Sequence, residues 1–154
     1  MWIYGCGTVA AELWLGTVRH ENLDDAQGAI LALESVVEQE PAHHQALELL
    51  TKIYDRSQDW VSLIATYERL SKIVGDGAER AAILMRLATV LESRLENFDR
   101  ARSTCEQALG FDPGNSDALA MIERIARHRQ DFGELDVALA RRVDAASSDT
   151  DRLQ

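Results

Sequence analysis

The sequence predicts an all-α fold of repeated antiparallel helix hairpins, and three observations predict it. Ala, Leu, Glu and Arg dominate, and these favour helix, while Val, Ile, Thr and the aromatics are not gathered into alternating runs. Apolar residues recur at i, i+3, i+4 and i+7, the stripe of a helix with one buried face. The chain also repeats itself. Shifted by 72 residues, it matches itself at 17 positions spread in phase along its length, which a chance match in one block does not produce. Among the pairs are Leu15/Leu87, Val18/Val90, Ala29/Ala101, Glu34/Glu106, Pro41/Pro113, Ala46/Ala118, Leu47/Leu119, Ile53/Ile125, Gln58/Gln130, Asp59/Asp131 and Leu63/Leu135.

Each 72-residue unit divides into two hairpins, over 8–40, 41–75, 77–112 and 113–145. The first hairpin has helices near 8–21 and 25–39. In the second, 42–56 carries Ala46, Leu47, Leu50, Ile53 and Tyr54, and 60–74 carries Trp60, Leu63, Ile64, Tyr67, Leu70 and Val74. Polar Arg56-Ser57-Gln58-Asp59 separates them, with Asp59 suited to cap the following helix. The third hairpin has helices near 78–95 and 98–110, the fourth near 115–129 and 132–145. Pro41 and Pro113 each precede a first helix, where a missing N–H costs nothing and φ is preset. Gly75-Asp76-Gly77 replaces that proline between hairpins two and three, a looser link. Residues 146–154 read as the opening of a further hairpin or a frayed tail, and the chain as a segment of a longer array.

With 154 residues the chain is long enough for one domain and a real core. Apolar residues at 46% and charged residues at 27% are ordinary for a globular protein, so neither disorder nor a fibre is indicated. The net charge of −10 argues against nucleic acid, which draws a basic stripe. The apolar start MWIYGCGTVAAELWLG has no Lys or Arg before Arg19 and is interrupted by Glu12. It therefore fits neither a secretory signal nor a membrane span, and reads as a core-facing first helix with an irregular lead-in. Cys6 and Cys105 form no CxxC and lie away from His, the usage of a reducing compartment, and the chain is placed in the cytoplasm.

The hairpins resemble the tetratricopeptide repeat, a helix-turn-helix of about 34 residues. Hairpin one supplies Ala29, Leu33, Val36 and Pro41, and hairpin two Leu47, Leu50, Thr51 and Tyr54. Hairpin three supplies Leu84, Leu87, Ala88, Ala101, Cys105, Ala108 and Pro113, and hairpin four Leu119, Ile122, Phe132, Leu135 and Leu139. The family's glycine in the first helix is Thr51, Ala88 or Glu123 here, and Leu63 and Leu135 stand where an Ala is expected. The divergent copies are similar to long arrays in large bacterial scaffold proteins. The resemblance implies a right-handed superhelical solenoid whose first helices line a concave groove for a partner peptide or helix. On this sequence the outward first-helix positions are then Gln45, Glu48, Lys52, Asp55, Arg56, Met85, Thr89, Glu92, Asp117, Ala120, Arg124, Arg127 and His128.

Chemistry-bearing patterns are weak beside this. His43-His44 are adjacent and point about 100° apart on a helix, where metal ligands on one face need i, i+4 spacing. Arg127-His128-Arg129 suits the negative end of a helix dipole. Cys105 falls on a packed face and reads as a core thiol; Trp14, Trp60 and Phe132 read as packing residues. No phosphate-binding, nucleophile-elbow or metal-cluster motif occurs, so no cofactor, metal or catalytic residue is expected. The reading is a non-catalytic interaction scaffold with a protein or peptide partner, no nucleic acid and no membrane insertion. Uncapped terminal hairpins predict self-association. The alternative is a regulatory or sensor module within a larger enzyme or signalling protein. An RNA-binding array would need basic first helices in every hairpin, which hairpins two and three lack.

Overall fold

A computed structural model describes the backbone of residues 4–22 and 25–152, and their side chains apart from 4–8, 18, 20–22 and 147–152. Among the described residues there are eight helices and no strand. They are α1 (Tyr4–Asn22), α2 (Ala26–Gln39), α3 (His44–Ser57), α4 (Trp60–Ile73), α5 (Gly77–Ser93), α6 (Phe98–Phe111), α7 (Ser116–Arg129) and α8 (Phe132–Arg152). The chain forms two compact units, Met1–Ile73 and Val74–Gln154. In the first, α1 packs on α2, α2 on α3 and α3 on α4; in the second, α5 packs on α6, α6 on α7 and α7 on α8.

The repeated Gln-Asp pair has a physical cause. Gln58 and Gln130 sit in the left-handed region, at φ 60° and 57°. The N–H of Asp59 donates to the carbonyl of Tyr54, and that of Asp131 to Ala126, each at 3.0 Å. This closes α3 and α7 in the Schellman manner. The same Asp then caps the next helix: Asp59 Oδ1 accepts from Ser62 N at 3.2 Å, and Asp131 Oδ1 from Glu134 N at 3.0 Å. One dipeptide thus stops the first helix of a hairpin and starts the second.

The other starts follow the same chemistry. Asp25, Asp76, Asn97 and Asn115 each accept from the N–H three residues on. His43 does so through Nδ1, from Ala46 N at 3.2 Å. The prolines lie one step earlier than a helical first turn. His43 N donates to Glu40 O and Asn115 N to Asp112 O, so Pro41 and Pro113 take the second position of a turn, which their fixed φ suits. The last helix runs to Arg152 rather than stopping near 145, because no Gly or Pro interrupts it after Gly133.

The predicted stripe of α3, Ala46, Leu47, Leu50, Ile53 and Tyr54, is buried, as are Leu63, Ile64, Leu70 and Val74. In the second unit Leu84, Leu87, Ala88, Leu91, Ala101, Cys105, Ala108, Leu119, Ile122 and Ile125 form the core. Each buried Leu or Ile contributes about 1.5–3 kcal/mol. A close approach absent from the sequence reading occurs between α1 and α2. A Cβ on Gly16 would lie 2.7 Å from Leu33 Cγ, so only hydrogen fits. Gly16 stands 72 residues before Ala88, which is fully buried at the equivalent place. Two aromatics depart from expectation. Trp14 is 67% exposed and Phe132 72% exposed, because each falls on the face of its helix opposite the packed stripe.

Candidate interaction surface

The thirteen outward positions fall on three helices. Gln45, Glu48, Lys52, Asp55 and Arg56 lie along one exposed face of α3, in the first unit. They are opposite the apolar stripe because the spacings of three, four and three residues keep one face of a 3.6-residue helix. In the second unit Met85, Thr89 and Glu92 follow one face of α5, and Asp117, Ala120, Arg124 and Arg127 one face of α7. Between α5 and α7 lies a cavity of about 350 Å³ lined by Met85, Arg86, Thr89, Asp117, Ala120, Met121 and Arg124. Five of the predicted residues are thus brought together there.

Glu92 and Arg124 bridge the two helices beside this groove. Arg124 Nε donates to Glu92 Oε1 at 2.7 Å and Nη2 to Oε2 at 2.6 Å, a bidentate pair. Those bonds push the guanidinium pKa upward, partly against desolvation. Thr89 Oγ1 donates to its own helix, at Met85 O, 2.8 Å away. Met85 is half-buried against the cluster of Ala81, Leu84 and Ala108, so the floor is apolar and fixed.

Three predicted residues of the second unit do not line this groove: Glu92, which stands beside it, Arg127 and His128. Arg127 is turned toward Glu123 one helical turn back. His128 stacks on Phe98 of α6, ring centroids 4.5 Å apart. Arg86 and Met121 line the groove and were not predicted; each adjoins a predicted position, Met85 or Ala120, and a wider helical face would have included them. Glu123 is the larger surprise. It occupies the place of the family's small residue and is buried, yet accepts from Arg127 and from Arg142 of α8. The bond from Arg142, with the nearby Arg127 charge, holds its carboxyl below the ordinary range despite burial.

Cys105 is a free thiol, fully buried, with Sγ 3.3 Å from Met121 Sδ. Burial, then the Glu92 charge, pushes its pKa up to about 12, so it stays protonated. The Cys6 side chain lies outside the described residues. Among the described residues no group of three His, Cys, Asp or Glu could hold a metal, and no helix is long and apolar enough to cross a membrane.

Helices paired as successive hairpins, each second helix opened by an Asp or Asn cap and the first-helix stripes of α3, α5 and α7 buried, define a helical repeat protein. The tetratricopeptide repeat model matches residues 46–81, within the second hairpin and the start of the third, and over that stretch the chain is similar to the tetratricopeptide repeat. No curated protein sequence matches it significantly. Among solved structures, "Crystal structure of MamA" is similar with TM-score 0.66 at 19% identity, over 94% of this chain and 80% of that one. "MamA RS-1 ArsTM double mutant" is similar with TM-score 0.62 at 14% identity, over 92% and 76%. "Crystal structure of APC/C hetero-tetramer Cut9-Hcn1" is similar with TM-score 0.57 at 17% identity, over 90% of this chain and 27% of that one. At these identities the likeness is one of fold.

Proposed function

We propose that this chain is a non-catalytic protein-interaction scaffold that takes a segment of a partner protein in the groove between α5 and α7. The observation that carries the reading is the cavity lined by Met85, Thr89, Asp117, Ala120 and Arg124, with an apolar floor and charges of both signs at its rim. Apolar contact gives affinity there, and Arg86, Asp117 and the Glu92–Arg124 pair give register. The exposed α3 face, with Lys52 at its centre, is the corresponding surface of the first unit. The fold likeness to a chain solved as the Cut9–Hcn1 hetero-tetramer supports a role in assembly. A free, buried Cys105 fits a reducing compartment such as the cytoplasm. Self-association is a second mode, supported by exposed Phe132, Leu139 and Val143 along one side of α8.

The test is affinity capture from the source cells with the native chain and with Thr89→Arg/Ala120→Trp, which fills the groove from both helices. Circular dichroism confirms equal helix content. The expected result is a partner held by the native chain and lost by the variant. Retention of every partner by the filled variant overturns the α5/α7 groove as the binding surface.

A further inference from the structure

The second unit carries another groove, built from the second helices of its hairpins. A cavity of about 670 Å³ lies between the end of α6, the turn after it and α8, within the size range of ligand clefts. Leu109, Pro113, Leu119 and Ala145 make its apolar part. A neighbouring cavity of about 300 Å³ shares Glu106, Leu119 and Arg141 with it and continues along α8 past Ile122, Val137 and Ala138. Together they form one elongated trough, with Leu119 and the Glu106–Arg141 pair at its middle and apolar residues on either side.

The charges around this trough do not balance. Arg141 Nη1 donates to both carboxylate oxygens of Glu106 at 3.0 Å, so this pair cancels. Arg102 forms an ion pair with Glu134, between Nε and Oε1. Among the described residues, both cations lining the trough, Arg102 and Arg141, are thereby matched. Three carboxylates remain: Asp112 and Asp144 at one end and Asp131 at the other. Among the described residues, Asp112 and Asp131 accept from neutral groups, Asn115 Nδ2 at 3.0 Å and Glu134 N at 3.0 Å. The α5/α7 groove differs, since Arg86 offsets Asp117 there.

We propose that the α6/α8 trough is a second docking surface, independent of the α5/α7 groove, for a protein segment with basic residues at both ends and apolar residues between. Arginine or lysine heads meet Asp131 at one end and Asp112 with Asp144 at the other. Their aliphatic stems and the intervening side chains cover Ile122, Leu119 and Leu109. An elongated trough with apolar stretches and no net charge at its middle fits an extended or helical peptide segment, and the acidic ends set its charge.

The experiment uses the full chain and a labelled probe peptide of leucine and alanine ended by arginines, with a glutamate-ended peptide as control. Fluorescence anisotropy gives affinity at physiological salt, and backbone amide shifts give the location. The arginine-ended peptide is expected to bind, with shifts clustered on 106–114 and 134–145. Asp112→Asn/Asp144→Asn weakens it about five- to tenfold, from two partly exposed charge pairs. Glu38→Gln/Glu40→Gln, which removes as much charge from exposed positions in the first unit, leaves it within about twofold. Asp144→Asn alone, away from the Asp112 turn, weakens it in the same direction. The proposal is overturned by shifts on α5 and α7 instead, by equal loss in both double variants, by equal binding of the glutamate-ended peptide, or by no binding up to millimolar concentration.

Discussion

Glu123 on α7 and Arg142 on α8 form an ion pair in which the carboxylate side chain is 4% exposed and the arginine side chain 47% exposed. Arg127 supplies a second guanidinium from one turn along α7. A buried charge at a helix crossing is tolerated only when paired, and here two partners reach it from the solvent side.

Replacing Glu123 tests that arrangement. Its lowered pKa means that the unfolded chain binds the proton more readily. The pair's contribution is therefore present above the unfolded carboxyl value of about 4.3 and lost as pH falls through the folded value. Glu123→Gln is expected to cost about 1–3 kcal/mol at neutral pH and to flatten the loss of stability in acid. Denaturant unfolding of both chains across that range measures it.

Tyr54 ties α3 to α2. Its hydroxyl donates to Glu34 Oε1 at 2.8 Å. Burial, then this bond to an acceptor carboxylate, raises the phenol pKa well above its ordinary value. A raised folded pKa gives stability that is complete below about 10 and declines as pH rises beyond it. Tyr54→Phe is expected to cost about 1 kcal/mol at neutral pH and to remove this part of the alkaline decline. Unfolding midpoints compared above and below that pH decide it.

Cys105 is expected to be unreactive in the native chain. With its pKa near 12, only about one thiol in ten thousand is ionised at pH 8, and access is closed as well. In a Cys6→Ser background, alkylation at that pH should proceed only through unfolding. Labelling that keeps pace with free cysteine in the folded protein would contradict the buried placement.

Gly16 sets the α1–α2 distance. Gly16→Ala forces a methyl group into Leu33, and overpacking of this kind costs about 1–3 kcal/mol despite the higher helix propensity of alanine. Thermal melts read the loss directly. Gly16→Ala/Leu33→Ala should lose less stability than the two single losses added together, since the alanine methyl enters space the leucine vacates.

Much of the fold was written in local pattern. Helix stripes, the 72-residue repeat and the Gln-Asp punctuation placed all eight helices, and the structure moves their ends by only a few residues outside α1 and α8. Those signals are legible because periodicity and capping act between residues a few places apart. The outward positions of α5 and α7 were legible for the same reason, being the complement of the buried stripe.

Side-chain partners were not legible in this way. Arg127 and Arg142 both converge on Glu123, Arg124 reaches Glu92 from 32 residues away, and Arg141 reaches Glu106 from 35. His128 turns to Phe98 rather than into the groove. The sequence by itself determined an all-helical chain of repeated hairpins, since each helix needs only its own stripe, caps and turn residues. The tertiary structure alone decided which charges are cancelled and which carboxylates are left to face a trough. Ion pairing depends on distances between helices, and one-dimensional spacing carries no record of them.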